Sequence, residues 1–74
     1  MGELGTLCFN RRKELGLTLR AVGEVAECSF VTVRDIETGN VLQPTRETLL
    51  GLATALELPI ADLALASYGV SAAK

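Results

Sequence analysis

Few of the residue types that carry reaction chemistry occur in this chain. Its 74 residues include no histidine and only two cysteines, Cys8 and Cys28. A zinc site needs more ligands than these. Neither cysteine has a neighbouring base to activate it, no Gly-rich loop could cradle a phosphate, and no carboxylates cluster toward a common pocket. Each cysteine stands where a small apolar residue fits and reads as structural, with no disulfide expected. The sequence therefore predicts no enzyme, no metal and no cofactor. What remains is recognition chemistry. Ser29, Thr32, Arg34 and Asp35 offer hydroxyl, guanidinium and carboxylate groups, with apolar Phe30 and Val31 beside them. Those are the donor, acceptor and methyl-contacting types that can read base edges.

The stretch from Thr18 to Gly39 must position these side chains. Val22, Gly23 and Ala26 have helical spacing, and so do Val33 and Ile36 beyond Cys28. Glu27-Cys28-Ser29 between them leaves room only for a tight turn. Ser29 is a good N-cap for the second segment, because its hydroxyl can accept a backbone N–H that the first turn leaves unpaired. Gly39 can end that segment in a left-handed conformation. Gly23 is small enough to let the two helices cross closely. Two short helices joined this way form a helix-turn-helix pattern, whose second helix can enter a DNA major groove.

The flanks supply three more helices. Helix 1 is expected from about Glu3 to Leu15, with Leu4, Leu7 or Cys8, and Leu15 inward and Gly16 closing it. Helix 2 starts at the N-cap Thr18 and reaches about Glu27; helix 3 runs from Phe30 or Val31 to Thr38. After a loop through Pro44, Thr45 caps helix 4, whose stripe Leu49, Leu52, Ala53 and Leu56 faces the core. Pro59 suits the first position of a short helix 5, with Ile60, Leu63 and Ala64 packing back. The expectation is an all-α, compact five-helix domain over residues 1–68 and a frayed tail over 69–74.

Composition sets limits on this reading. Hydrophobic residues make up 49% of the chain, but the aromatics are only Phe9, Phe30 and Tyr68, so the core must be Leu, Val and Ala. A chain this short buries about 60% of its unfolded surface, and a dimer interface would add stability. The net charge of −2 and pI near 4.9 oppose a nucleic-acid partner. Distribution softens that objection: Arg11, Arg12, Lys13, Arg20, Arg34 and Arg46 lie at or before position 46, whereas Glu47, Glu57 and Asp62 lie after it. The Arg11-Arg12-Lys13 run reads either as a solvated face or as a phosphate contact. Glu57, Pro59 and Asp62 break the most apolar tract, so no membrane span or secretory signal is expected, and the chain is placed in the cytoplasm. Met1-Gly2 through Thr6 fits the short myristoylation pattern, but Leu4 reads better as a core residue.

From Arg12 to Leu63 the chain resembles the Cro/C1-type (XRE-like) helix-turn-helix domain of phage repressors, antitoxins and bacterial regulators. The resemblance rests on Arg12, Gly16-Leu17-Thr18, Val22-Gly23, Ser29, Val33, Ile36-Glu37, Gly39, Pro44, Thr48-Leu49, Leu52-Ala53 and Ala55-Leu56. It implies a lambda repressor-like fold and a DNA-binding transcriptional regulator of repressor type, in a bacterial cytoplasm or nucleoid. It also implies an ion pair between Arg12 and Glu37, since a partly buried carboxylate needs a bidentate cation. Three positions depart from the family. Leu19 replaces the usual Gln at the start of helix 2, Glu27 takes the usual Gly of the turn, and Phe30-Val31 opens a recognition helix whose start is often polar. Glu27 must adopt a left-handed backbone at some cost or allow a different turn.

On this reading the base contacts are Ser29, Phe30, Val31, Thr32, Arg34 and Asp35. Arg34 would bond guanine, Asp35 would accept from cytosine, and Phe30 or Val31 would touch thymine methyls. Phosphate contacts would come from Arg12, Thr18, Arg20, Asn40, Gln43 and Arg46, helped by backbone N–H groups at helix starts. So few basic contacts call for two protomers on half-sites about 34–36 Å apart. Leu58, Ile60, Leu63, Leu65 and Tyr68 are the expected homodimer surface. The competing reading is a protein-interaction module on the same fold, favoured by the acidic balance and the apolar start of helix 3.

Overall fold

The computed structural model describes residues 3–68 of the chain. It contains five helices: α1 (Glu3–Leu15), α2 (Leu19–Ala26), α3 (Phe30–Thr38), α4 (Arg46–Leu56) and α5 (Ile60–Tyr68). The tail 69–74 and the Met1-Gly2 start of the myristoylation pattern lie outside the described residues.

Three hydroxyl side chains set where helices begin. Thr18 Oγ1 accepts from the Ala21 N–H at 3.0 Å, Ser29 Oγ from Thr32 at 3.2 Å, and Thr45 Oγ1 from Thr48 at 3.2 Å. Each satisfies a donor that the first helical turn cannot pair internally. Helix α5 starts one residue later than expected. Pro59 lies just ahead of it, and its carbonyl accepts from the Asp62 N–H at 3.0 Å.

The C-terminal ends are less uniform. Gly16 and Gly39 take left-handed backbone at φ 70° and 91°, which glycine does with little penalty. Glu27 and Glu57 do the same at φ 59° and 56° and end α2 and α4. Of the two ways Glu27 could have been accommodated, the strained backbone is the one found. The turn thus keeps the shape a glycine would give it, without the glycine.

Leu4, Cys8, Val22, Val33, Ile36, Leu49, Leu52, Leu56 and Leu63 form the fully enclosed centre, with Ala26, Ala53 and Ala55 filling the gaps. Leu7 and Leu15 are only half-buried, and Cys8 takes the inward position on α1. Burial, and secondarily the nearby Glu37 carboxylate, pushes the Cys8 thiol up to about 12. Small residues decide how closely the helices meet. A Cβ on Gly23 would lie 2.7 Å from the Cys28 carbonyl oxygen, and one on Gly51 would lie 2.7 Å from that of Ala26. Gly23 therefore does let α2 and α3 cross as the sequence predicts, and Gly51 does the same for α2 and α4.

The basic run is drawn into the fold. Arg11 Nε donates to the Leu56 carbonyl at 2.9 Å, capping the end of α4, and its Nη1 reaches Glu14 at 3.1 Å. Arg12 Nε donates to Glu37 Oε2 at 2.7 Å and Nη2 to Oε1 at 3.1 Å, while Nη1 donates to the Leu17 carbonyl at 2.9 Å. Arg12 is 9% exposed and Glu37 5%. Among the described residues no buried side-chain polar atom lacks a partner.

Two tests follow from this architecture. Glu37→Gln leaves the Arg12 charge buried without a counter-charge and should lower stability by about 3–5 kcal/mol, whereas Arg12→Met with Glu37→Leu should recover most of it. Urea denaturation of the two variants checks this; equal midpoints for Glu37→Gln and the parent would remove the pair from the account. Glu27→Gly and Glu57→Gly should each raise stability by about 1 kcal/mol by relieving left-handed strain, read as an upward shift in Tm.

Candidate nucleic-acid interface

Helix α3 has two unlike faces. Val33, Ile36 and Glu37 are buried, and they fix the inward side against α1 and α2. Ser29, Phe30, Val31 and Arg34 are exposed, and Thr32 and Asp35 are half-buried between them. All six residues predicted to meet bases therefore lie at solvent or at its margin. Phe30 is 36% exposed and Val31 38%, so neither has been taken into the core of the chain.

The polar members of that set are already in contact with one another. Ser29 Oγ caps α3 and lies 3.4 Å from Thr32 Oγ1. Arg34 Nη2 stands 3.6 Å from Asp35 Oδ1, an ion pair too long for a hydrogen bond. Asp35 is thus paired with Arg34, the residue next to it in the chain. It also offsets the positive charge that Arg34 would bring to a phosphate or a base.

The turn brings α2 alongside. Arg20, Glu24, Cys28, Ser29 and Phe30 line one shallow groove. Within it the Arg20 guanidinium sits over the Phe30 ring, Cζ 4.6 Å from the centroid, a cation–π contact. No periodicity in the sequence announces this contact. The available signal was a cation in the first turn of one helix and an aromatic at the first position of the next. Cys28 is half-buried at the turn, and burial raises its thiol pKa. It makes no disulfide.

The predicted phosphate contacts divide. Thr18, Arg20, Asn40, Gln43 and Arg46 are exposed. Arg12 is not: it is buried and holds Glu37 and the Leu17 carbonyl, so of its two predicted roles the structural one is built and the phosphate contact is not. The loop after α3 is tied down in its middle. The Val41 N–H donates to the Asp35 carbonyl at 3.1 Å, and Ser67 Oγ donates to that of Leu42 at 3.2 Å.

The predicted dimer surface also needs correction. Leu63 is wholly enclosed in the core and cannot meet a partner chain. Leu58 is half-buried against the core, and Ile60 and Leu65 are 40% and 48% exposed. Ile60 thus faces outward instead of packing back. The Tyr68 side chain lies outside the described residues. Nearly every position of α5 is apolar, so its inward stripe could not be told apart by pattern alone.

Among the described residues no group of three or more Cys, Asp or Glu side chains could hold a metal ion. No described helix is long and apolar enough to cross a membrane.

Comparison with known proteins agrees with this architecture. The crystal structure of the clp gene regulator ClgR from C. glutamicum is 26% identical over 99% of this chain and 94% of that one, with a TM-score of 0.73. No curated protein matches the chain in sequence. Residues 3–66, spanning α1 to the last turn of α5, match the helix-turn-helix domain family. With its caps, its tight turn and its two-faced third helix accounted for, the chain belongs to the helix-turn-helix domain family.

Proposed function

We propose that this chain is a sequence-specific DNA-binding transcriptional regulator, of repressor type, that lays α3 in the major groove. The observation that carries the reading is the outer face of α3. It presents a guanidinium, a carboxylate, hydroxyls and apolar groups at solvent, on a helix capped at its start and locked from behind by Val33, Ile36 and Glu37. Family membership and the likeness to a gene regulator support it. The start of α2, with Thr18, and the exposed Asn40, Gln43 and Arg46 are the proposed phosphate contacts.

Function as a homodimer is part of the proposal. Few cations face outward, so one protomer would bind weakly and with strong salt dependence. Exposed Ile60 and Leu65, flanked by half-buried Leu58, are the proposed contact between protomers. The proposed setting is the bacterial cytoplasm or nucleoid.

Fluorescence anisotropy tests the reading on the duplex upstream of the chain's own gene, against a scrambled duplex, over a range of salt. Preference for the native duplex is expected, with affinity falling as salt rises and Arg34→Ala losing about 1–3 kcal/mol of discrimination. Equal affinity for both duplexes at low salt would shift the assignment to a protein-interaction module, whose contact would be Phe30, Val31 and the acidic side chains beside them. Sedimentation should show dimers at micromolar concentration; monomers alone at high micromolar concentration would remove the homodimer from the proposal.

A further inference from the structure

The arginines around α3 differ in what their guanidinium groups already hold. Arg12 is buried against Glu37, and Arg34 lies beside Asp35. Arg20 has no carboxylate partner among the described residues and donates no hydrogen bond to the chain. Even Glu24, one turn further along α2 and lining the same groove, is not paired with it, although that spacing suits an ion pair. Its guanidinium lies instead over the Phe30 ring, 4.6 Å from the centroid.

That contact has a directional consequence. A guanidinium resting on a ring face is restrained to lie across it, and its N–H donors, which lie in the guanidinium plane, stay clear of the ring. A planar fork held in that way matches the paired O6 and N7 acceptors of guanine. The same fork can also grip a phosphate, so what favours the base is where the fork is held. The partner ring belongs to the first residue of α3, the end of a recognition helix that contacts base edges. Phe30 remains exposed enough to touch a second group, and the apolar group available in the major groove is the thymine methyl.

We infer that Arg20 is a specificity-determining residue and not a phosphate anchor, and that Arg20 and Phe30 together read a guanine with a thymine on the adjacent base pair. The inference rests on the proposed major-groove reading of α3 and adds the base step that the turn prefers. Arg34 and Asp35 then read a separate part of the site.

Selection from a random duplex pool tests this with the full chain and its Arg20→Lys, Arg20→Ala and Phe30→Leu variants. Arg20 and Phe30 are exposed, and equal Tm values verify that the variants fold. The parent should enrich duplexes containing adjacent thymine and guanine. Arg20→Lys keeps the charge but loses the fork, so discrimination at the guanine should fall roughly 5- to 150-fold, with the salt slope unchanged. Phe30→Leu should weaken the same position, because the platform is gone. Replacing the thymine by uracil, which lacks the methyl, should weaken the parent and leave Phe30→Leu unaffected. The inference is overturned if Arg20→Lys enriches the same sites as the parent while Arg20→Ala weakens all sequences alike and lowers the salt slope by about one. A parent chain that enriches no sequence overturns the major-groove reading itself, and this inference with it.

Discussion

The contact between Arg12 and Glu37 governs the geometry of the domain. Two opposite charges with little exposure are tolerable only if each meets the other and the remaining donors find acceptors. That condition holds for a narrow range of placements of α1 against α3. Gly5 shows how narrow: a Cβ there would lie 2.6 Å from the Glu37 carbonyl oxygen. The same arginine holds the Leu17 carbonyl, just ahead of α2. One side chain therefore sets the roll of α3 and the point where α2 begins. The outward face of α3 is what it is because Glu37 must point inward.

The turn between α2 and α3 obeys a second constraint. Its three residues must reverse the chain while Gly23 keeps the two helices within van der Waals distance. Packing from Val22, Ala26 and Val33 leaves the backbone little choice, and Glu27 accepts an unfavourable φ as a result. Tertiary demand overrides local preference here. The Glu57 turn repeats the solution after α4, where the Arg11 side chain ties the Leu56 carbonyl to α1. The strain is thus placed at two exposed corners, away from the inward faces that define the fold.

The helices were legible because capping and periodicity are local. Thr18, Ser29 and Thr45 each cap the helix that their position predicts, and the α4 stripe falls on Leu49, Leu52, Ala53 and Leu56. The Arg12–Glu37 pair was legible through family resemblance, not through spacing. Contacts between distant side chains were not legible. Arg11 reaches Leu56 across most of the chain, and in sequence its run looks like a solvated basic face. Leu63 and Ile60 were each expected both to pack back and to face a partner; Leu63 is buried and Ile60 exposed, a division hidden because α5 offers apolar groups in nearly every direction. The outer face of α3 was legible as a set of residues, but its internal pairings were not: Arg34 with Asp35, and Arg20 on Phe30.

The way the arginines are engaged has a kinetic side. Arg11 faces Glu14, Arg12 faces Glu37 and Arg34 faces Asp35, so three of the cations act at a distance as parts of neutral pairs. The chain as a whole is negative. A polyanion approaching from beyond a Debye length, about 8 Å at physiological ionic strength, would feel little attraction. Encounter would then proceed near the unsteered rate of about 10⁵–10⁶ M⁻¹s⁻¹ instead of the far faster rates that complementary fields allow. A DNA-binding domain built this way would owe its selectivity to how long it stays on a site and not to how quickly it arrives.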